Sequence, residues 1–276
     1  KRRGETPSTK ARLVALDLVT GEVQWETEQG VESRTELWLS EGVLLATAGN
    51  GMTGHDAATG KQLYARDAKM PRFPVLVRDT IIGEPAAWDL HTGAPKDRLS
   101  SFTQGQVPWN FLRSYGCGSI AAGPNLLMFR SGTLGFYDLA GDSGVHNFSG
   151  VRAGCYVNAI AANGLVLAPP ADAGCTCCYN FQATVALVPT TKNEQWSIFY
   201  DRLPNTTVQR VALNLGAPGD HRDADGGLWI GAPRPETRTG RGEIDKPFRF
   251  EFADGGGPYH YNSDQLRIAG TDKPWV

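Results

Sequence analysis

One motif returns along this chain and restricts the folds open to it. Residues 15 to 25 read ALDLVTGEVQW: a short apolar run, an Asp, a Thr-Gly pair and a Trp. With Ala15, Asp17, Thr20, Gly21 and Trp25 held as fixed offsets, the second copy, GHDAATGKQLY, puts Gly54, Asp56, Thr59, Gly60 and Tyr64 on the template. The third, AWDLHTGAPKD, keeps Ala87, Asp89, Thr92 and Gly93 but has Asp97 at the aromatic position. A fourth, FYDLAGDSGVHNF, keeps Asp138 and regains an aromatic, Phe148, two positions late. The fifth, ALVPTTKNEQW, keeps Ala186, Thr191 and Trp196, with Val188 and Lys192 in place of Asp and Gly. The copies recur at roughly 33 to 50 residues, a period of supersecondary units stacked in an array, four-stranded propeller blades among them.

The residues between copies favour strands. Short apolar runs are cut by turn residues in LWLSEGVLLATA, PVLVRDTIIG, SIAAGPNLLMF and NAIAANGLVLAP, and each reads as a hairpin. From residue 13 to 200 no stretch sustains an apolar period of 3.6 over a helix's length, and the 33 Gly and 17 Pro punctuate the chain as in turn-rich β proteins. A blade is then three strands followed by the motif as outer strand and exit turn.

The motif has a physical logic. Thr20-Gly21 permits a tight turn with the Gly at positive φ, and the Asp17 carboxylate can accept backbone N–H groups across it. Trp25 offers a broad apolar face to a neighbouring blade. Trp25, Tyr64, Phe148 and Trp196 are therefore expected between blades.

The pattern A-x-D-x-x-T-G-x-x-x-W is similar to the tryptophan-docking repeat of β-propellers of the pyrroloquinoline-quinone (PQQ) type. These include quinoprotein alcohol dehydrogenases and, without cofactor, outer-membrane assembly lipoproteins. The resemblance covers residues 13 to 200; the first copy matches in full, the second nearly so, and the last three are degraded. The stretch from GCGSIAAGPNLLMFRSGTLGFYDLAGD through GCTCCYNFQATVALVP also resembles the last blades of large multidomain propeller proteins of planctomycete-type bacteria. The implied fold is all-β, a propeller of four-stranded blades, here a partial set. The implied blade-docking residues are Ala15, Asp17, Thr20, Gly21, Trp25, Asp56, Gly60, Tyr64, Asp89, Gly93, Asp138 and Trp196. The first motif is not preceded by three strands, so either later strands complete that blade or the chain is a piece of a longer parent. The expected organisation is a linker or cut end over 1–12, blades over 13–200 and a further β segment over 201–276. That last segment supplies closing strands or begins a malectin-like β-sandwich.

At 276 residues with 41% hydrophobic content the chain can bury one large core or two modest ones. A net charge of -2 gives no electrostatic footprint for nucleic acid or anionic lipid. No run of 18 apolar residues exists, and the first residues carry no apolar signal-peptide core.

Among residues that could carry chemistry, the five cysteines cluster: Cys117 and Cys155 each beside Gly, and Cys175, Cys177 and Cys178 in CTCC. Zinc and haem spacings are not met, and no helix signal supports a redox role for the C-x-x-C at Cys175 and Cys178. Disulfides are expected, with Cys155 joined to one of the CTCC thiols and an odd cysteine left over. With the resemblance, they imply a periplasmic, secreted or cell-surface location. Some quinoprotein dehydrogenases carry a vicinal disulfide against the quinone, which points to Cys177-Cys178. The calcium-binding Glu/Asn pair and catalytic Asp of that family match no position here, so no cofactor is expected; PQQ with calcium is the alternative. Asp220, Asp223 and Asp225 lie close together ahead of Gly226 and are candidate calcium ligands, but the EF-hand spacing is not met and a hairpin at Asp225-Gly226 accounts for them more simply. The histidines His55, His91, His146, His221 and His260 are scattered. Arg113, Tyr115, Arg130, Arg152, Asn158 and Tyr179 flank the Gly/Cys-rich blade starts, where inner strands would approach a channel. They are the candidate ligand-binding residues, against the simpler role of satisfying main-chain carbonyls.

The reading from sequence is a non-catalytic binding or assembly module whose partners are other protein chains or further blades of the same parent. The alternatives are a PQQ-dependent dehydrogenase and carbohydrate binding or processing through 201–276, where Trp229, Tyr259 and Tyr261 offer aromatic platforms.

Overall fold

A computed structural model describes residues 11–28, 35–49, 51–68, 74–113, 115–148, 150–170, 183–190, 196–199, 207–215, 217–223, 225–232 and 253. Among them the chain is all-β, in short sheets of two to four strands with no helix. It forms two compact units, Lys1–Lys96 and Asp97–Val276.

The first unit holds three successive sheets. Leu13–Leu16 pairs with Val23–Thr27; Glu36–Ser40, Val43–Ala48, Gly51–Asp56 and Gln62–Asp67 run up and down as a four-stranded sheet; Val75–Val77, Thr80–Ile82 and Ala87–Asp89 form a third. The four-stranded sheet has the strand order of a propeller blade. Alternate residues face inward, so Val43, Leu45 and Met52 meet Tyr64, Ile81, Trp88 and Leu90 in one core.

The second unit opens with the pair Asp97–Leu99 and Gln106–Pro108. A four-stranded sheet follows from Ala121–Ala122, Leu126–Ser131, Thr133–Asp138 and His146–Phe148. Ile160–Ala162, Leu165–Ala168 and Val185–Leu187 make the next. The last is mixed: Leu228–Ala232 pairs antiparallel with His221–Arg222 and parallel with Leu213–Leu215. Leu228 and Ile230 bury against Phe102 and Phe199, so the late strands share a core with residues upstream of 200. The expected boundary at 200 falls outside the described residues.

All four hairpins read from the sequence are present. Two close through pairs with both residues at positive φ, Glu41-Gly42 (46° and 76°) and Asn163-Gly164 (51° and 74°), the turn whose twist matches a β ribbon.

The first three motif turns repeat one hydrogen-bond pattern. Asp17 Oδ1 accepts Val19 N at 2.9 Å and Thr20 N at 2.7 Å; Asp56 Oδ1 accepts Ala58 N at 3.1 Å and Thr59 N at 2.8 Å; Asp89 Oδ1 accepts His91 N at 3.1 Å and Thr92 N at 2.9 Å. Gly21, Gly60 and Gly93 follow at φ 73°, 72° and 66°. These N–H bonds favour the ionised carboxylate. At Asp17 the Thr20 and Val19 amides lead, and at Asp56 the Thr59 hydroxyl leads; both carboxyls sit below their ordinary value.

The aromatic of one copy rests on the glycine of the next. A Cβ at Gly60 would come within 2.5 Å of Trp25 Cε3, and one at Gly93 within 2.6 Å of Tyr64 Cδ2. The polar edges are equivalent as well. Trp25 Nε1 donates to Ala57 O at 3.0 Å and the Tyr64 hydroxyl to Leu90 O at 2.9 Å, in each case the residue after the motif Asp. Trp25 is half-buried and Tyr64 buried. The expectation for Phe148 is corrected: it is 41% exposed. Two extra residues in the fourth turn carry it past the equivalent position. The place on that turn's glycine is taken by Phe199, whose ring carbon Cε2 lies 2.7 Å from where a Gly144 Cβ would be. Trp196 instead sets its ring 5.9 Å from His221.

Candidate binding site

Four of the candidate channel residues lie buried in the second unit: Arg113, Arg130, Arg152 and Asn158. Three of them bond nearby backbone and side chains. Arg113 Nη1 and Nη2 each donate to Gly118 O at 3.4 Å, and Asn158 Nδ2 donates to Ser119 O at 2.8 Å. Arg130 Nη1 donates to Cys155 Sγ at 3.3 Å, and its guanidinium lies 5.9 Å from the Tyr115 ring centre. Tyr179 lies outside the described residues.

The disulfide expectation is corrected where it can be followed. Cys117 and Cys155 are thiols, and the buried Cys155 sulfur accepts Arg130 Nη1. Cys175, Cys177 and Cys178 lie outside the described residues.

The aspartates of DHRDADG close a hairpin. Asp223 N donates to Gly227 O at 2.9 Å, and Gly226 sits at φ 80°. Asp223 accepts Gly227 N at 2.6 Å and the Trp229 indole at 2.8 Å, and its carboxyl is held low, that indole bond first among the causes. Asp220 accepts Phe199 N at 2.8 Å and Gly231 N at 3.0 Å. Oxygens that a cation would need thus face N–H donors. No group of three or more His, Cys, Asp or Glu among the described residues is arranged to hold a metal ion. Asn158, the nearest amide to a quinone-site role, is engaged at both ends, since its Oδ1 accepts Ala159 N at 2.7 Å.

An open depression of about 510 Å³ lies elsewhere in the second unit, between Arg98–Ser101, Trp109, residues 139–142, Arg210 and residues 225–228. Asp142 is the hub of its floor. Its carboxylate accepts the Tyr137 hydroxyl, pairs with Arg98 Nη1 at 3.6 Å and accepts Arg222 Nη2 at 3.1 Å. Arg222 also reaches Asp142 O at 3.2 Å and, through Nη1, Gly226 O at 2.8 Å. Both guanidiniums lie over the Phe199 ring, at 5.9 Å and 5.0 Å. Burial first, then the neighbouring Asp142 charge, pushes the Tyr137 phenol far up, so it stays a donor. Trp109 forms a wall, packed at 5.5 Å on Tyr137 and 5.6 Å on Phe111.

The sequence reading missed this cluster, although a signal for it was present. The third copy loses its aromatic to Asp97, immediately before Arg98. The fourth turn spans two more residues between its Asp and Gly than the first three, and Gly141 and Asp142 lie in that longer turn.

A pH response follows from the same turn. His146 Nδ1 bonds Trp196 O at 3.1 Å, so it carries the proton, and the buried Nε2 has no hydrogen-bond partner. Burial, ahead of the opposing Trp196 carbonyl and Asp138, lowers its pKa from the ordinary value. Below that value the unfolded chain binds more protons than the folded one, so stability falls as pH falls. The urea midpoint is expected to drop between about pH 8 and about pH 5.5, across the ordinary histidine range. A His146→Gln variant should flatten that slope, and an unchanged slope would remove His146 as the cause.

No known protein family matches the chain, and no curated protein matches it. Among solved structures it is similar to BamB from Moraxella catarrhalis, at 19% identity over 57% of this chain and 48% of that one, TM-score 0.38. It is similar to the computationally designed Ika8 protein, at 14% over 58% and 50%, TM-score 0.39. A europium-containing methanol dehydrogenase is similar at 12% over 57% and 45%, TM-score 0.34. The chain spans about half the length of these solved chains.

Proposed function

We propose that this chain is a non-catalytic binding or assembly module of the PQQ-like propeller type, working outside the cytoplasm as part of a larger protein, and that it engages its partner at the Trp109–Arg98–Arg222 depression. One observation carries the site. The fourth copy of the repeat, whose turn is two residues longer than the first three, supplies Leu139–Asp142 to the depression, and the third copy, which lacks its aromatic, runs directly into Arg98 of the lining. Consistency across levels is expected of scaffold, and local breaks mark function. The extracytoplasmic placing rests on the repeat resemblance alone, because Cys117 and Cys155 are thiols.

Reconstitution tests the non-catalytic reading. With PQQ and calcium added, dye-linked oxidation of alcohols and aldose sugars is expected to stay at the protein-free rate. Sustained turnover abolished by a chelator would replace the module with a quinoprotein dehydrogenase.

A further inference from the structure

Resting on that reading, we infer that the depression recognises an acidic, extended peptide segment of a protein partner, with a carboxylate drawn to the arginines and an apolar neighbour laid on Trp109 and Leu99. The lining sets three arginines, Arg98, Arg210 and Arg222, against two aspartates, Asp142 and Asp225. Asp142 is already gripped by Arg98 and Arg222, which fixes two guanidiniums in place before any ligand arrives. Guanidinium groups held in this way favour a carboxylate, because charge-assisted bonds are strong and little side-chain freedom is left to lose. Arg210, exposed at the rim, adds a further positive charge.

The apolar part of the lining is equally specific. Leu99 is 57% exposed, and Trp109 keeps a partly exposed ring fixed by Tyr137 and Phe111. Leu99 belongs to the strand Asp97–Leu99, whose sheet among the described residues contains one other strand, Gln106–Pro108. Among the described residues that strand has an edge with no neighbour in its sheet, the arrangement to which an extended peptide adds. Alternation along such a peptide would send acidic and apolar side chains to opposite faces, so the acidic groups meeting the arginines come from every second residue.

The test is a fluorescence-polarisation titration of the full chain with the labelled peptide Leu-Glu-Leu-Asp-Leu-Glu-Leu amide, beside its Gln/Asn counterpart and labelled digalacturonate. The acidic peptide is expected to bind saturably, about tenfold or more tighter than the Gln/Asn peptide, and to weaken as salt is raised. Arg210→Gln, a change at an exposed side chain, should weaken it about fivefold or more. Equal affinity for both peptides, no saturable binding of either, or binding of digalacturonate in preference to the peptide would each overturn the inference. The two readings fail separately. Chelator-sensitive turnover sinks the module whatever the peptide does, whereas loss of peptide discrimination without turnover sinks only the ligand class.

Discussion

Replacing Tyr64 by Ala should destabilise the chain by about 3–5 kcal/mol, the range for removing a large aromatic from a close-packed site. Tyr64 is 5% exposed and packs in a core with Leu45, Met52 and Ile81. Its ring also covers Gly93, so the cavity left by Ala opens against the turn of the next sheet as well as into its own. Tyr64→Phe separates the two contributions, because it keeps the ring and removes only the bond to Leu90 O. That loss should cost about 1 kcal/mol, as the buried carbonyl loses a donor. Burial first, and then Asp89, raises the phenol to about 12, so it remains a donor throughout the neutral range. Trp25→Ala removes the same contact from a half-buried position and should cost less, about 2 kcal/mol. Urea denaturation of the three variants gives the order Tyr64→Ala, Trp25→Ala, Tyr64→Phe. A loss under about 1 kcal/mol for Tyr64→Ala would mean that this ring does not hold the two sheets together.

That contact was legible in the sequence because both of its halves lie in one template. The Asp, Thr and Gly that close a turn are neighbours along the chain, so composition and offset identify them. The aromatic four residues after the Gly then has one regular place to go. Phe148 failed the same logic, since the longer fourth turn moves it and Phe199 covers Gly144 from a segment with no motif spacing to it. The depression was less legible still. Asp142 and Arg222 meet across 80 residues, and Arg222 stood unmarked among the aspartates of DHRDADG. Only a long-range fold brings such charges together, and no local propensity encodes their meeting. What the sequence did hold was a negative signal: the copy with the lengthened turn lines the depression with Leu139–Asp142, and the copy that loses its aromatic ends one residue before Arg98.

Gly118→Ala should cost about 2–5 kcal/mol, while Gly21→Ala, at nearly the same backbone conformation, should cost about 1–2 kcal/mol. The two glycines sit at φ 78° and 73°, so a methyl group strains the backbone alike at both. Their surroundings differ. Nothing lies within 4 Å of a Cβ built on Gly21, whereas at Gly118 it would drive into the Cys155 carbonyl and come 3.2 Å from Tyr156 N. Both obstacles are backbone, which cannot turn aside as the end of a side chain can. Gly118 is held from its other side too, by the Arg113 guanidinium on its carbonyl, and Asn158 ties the neighbouring Ser119 to the same loop. The segment around Gly118 and the segment around Cys155 are thus tied by the buried Asn158, while the buried Arg113 braces the Gly118 turn from within its own segment. Cys117, partly exposed beside Gly118, reports on the tie directly. In Gly118→Ala its alkylation under native conditions should speed up, and in Gly21→Ala it should not change. Equal stability losses with equal alkylation rates would show that the two segments do not meet.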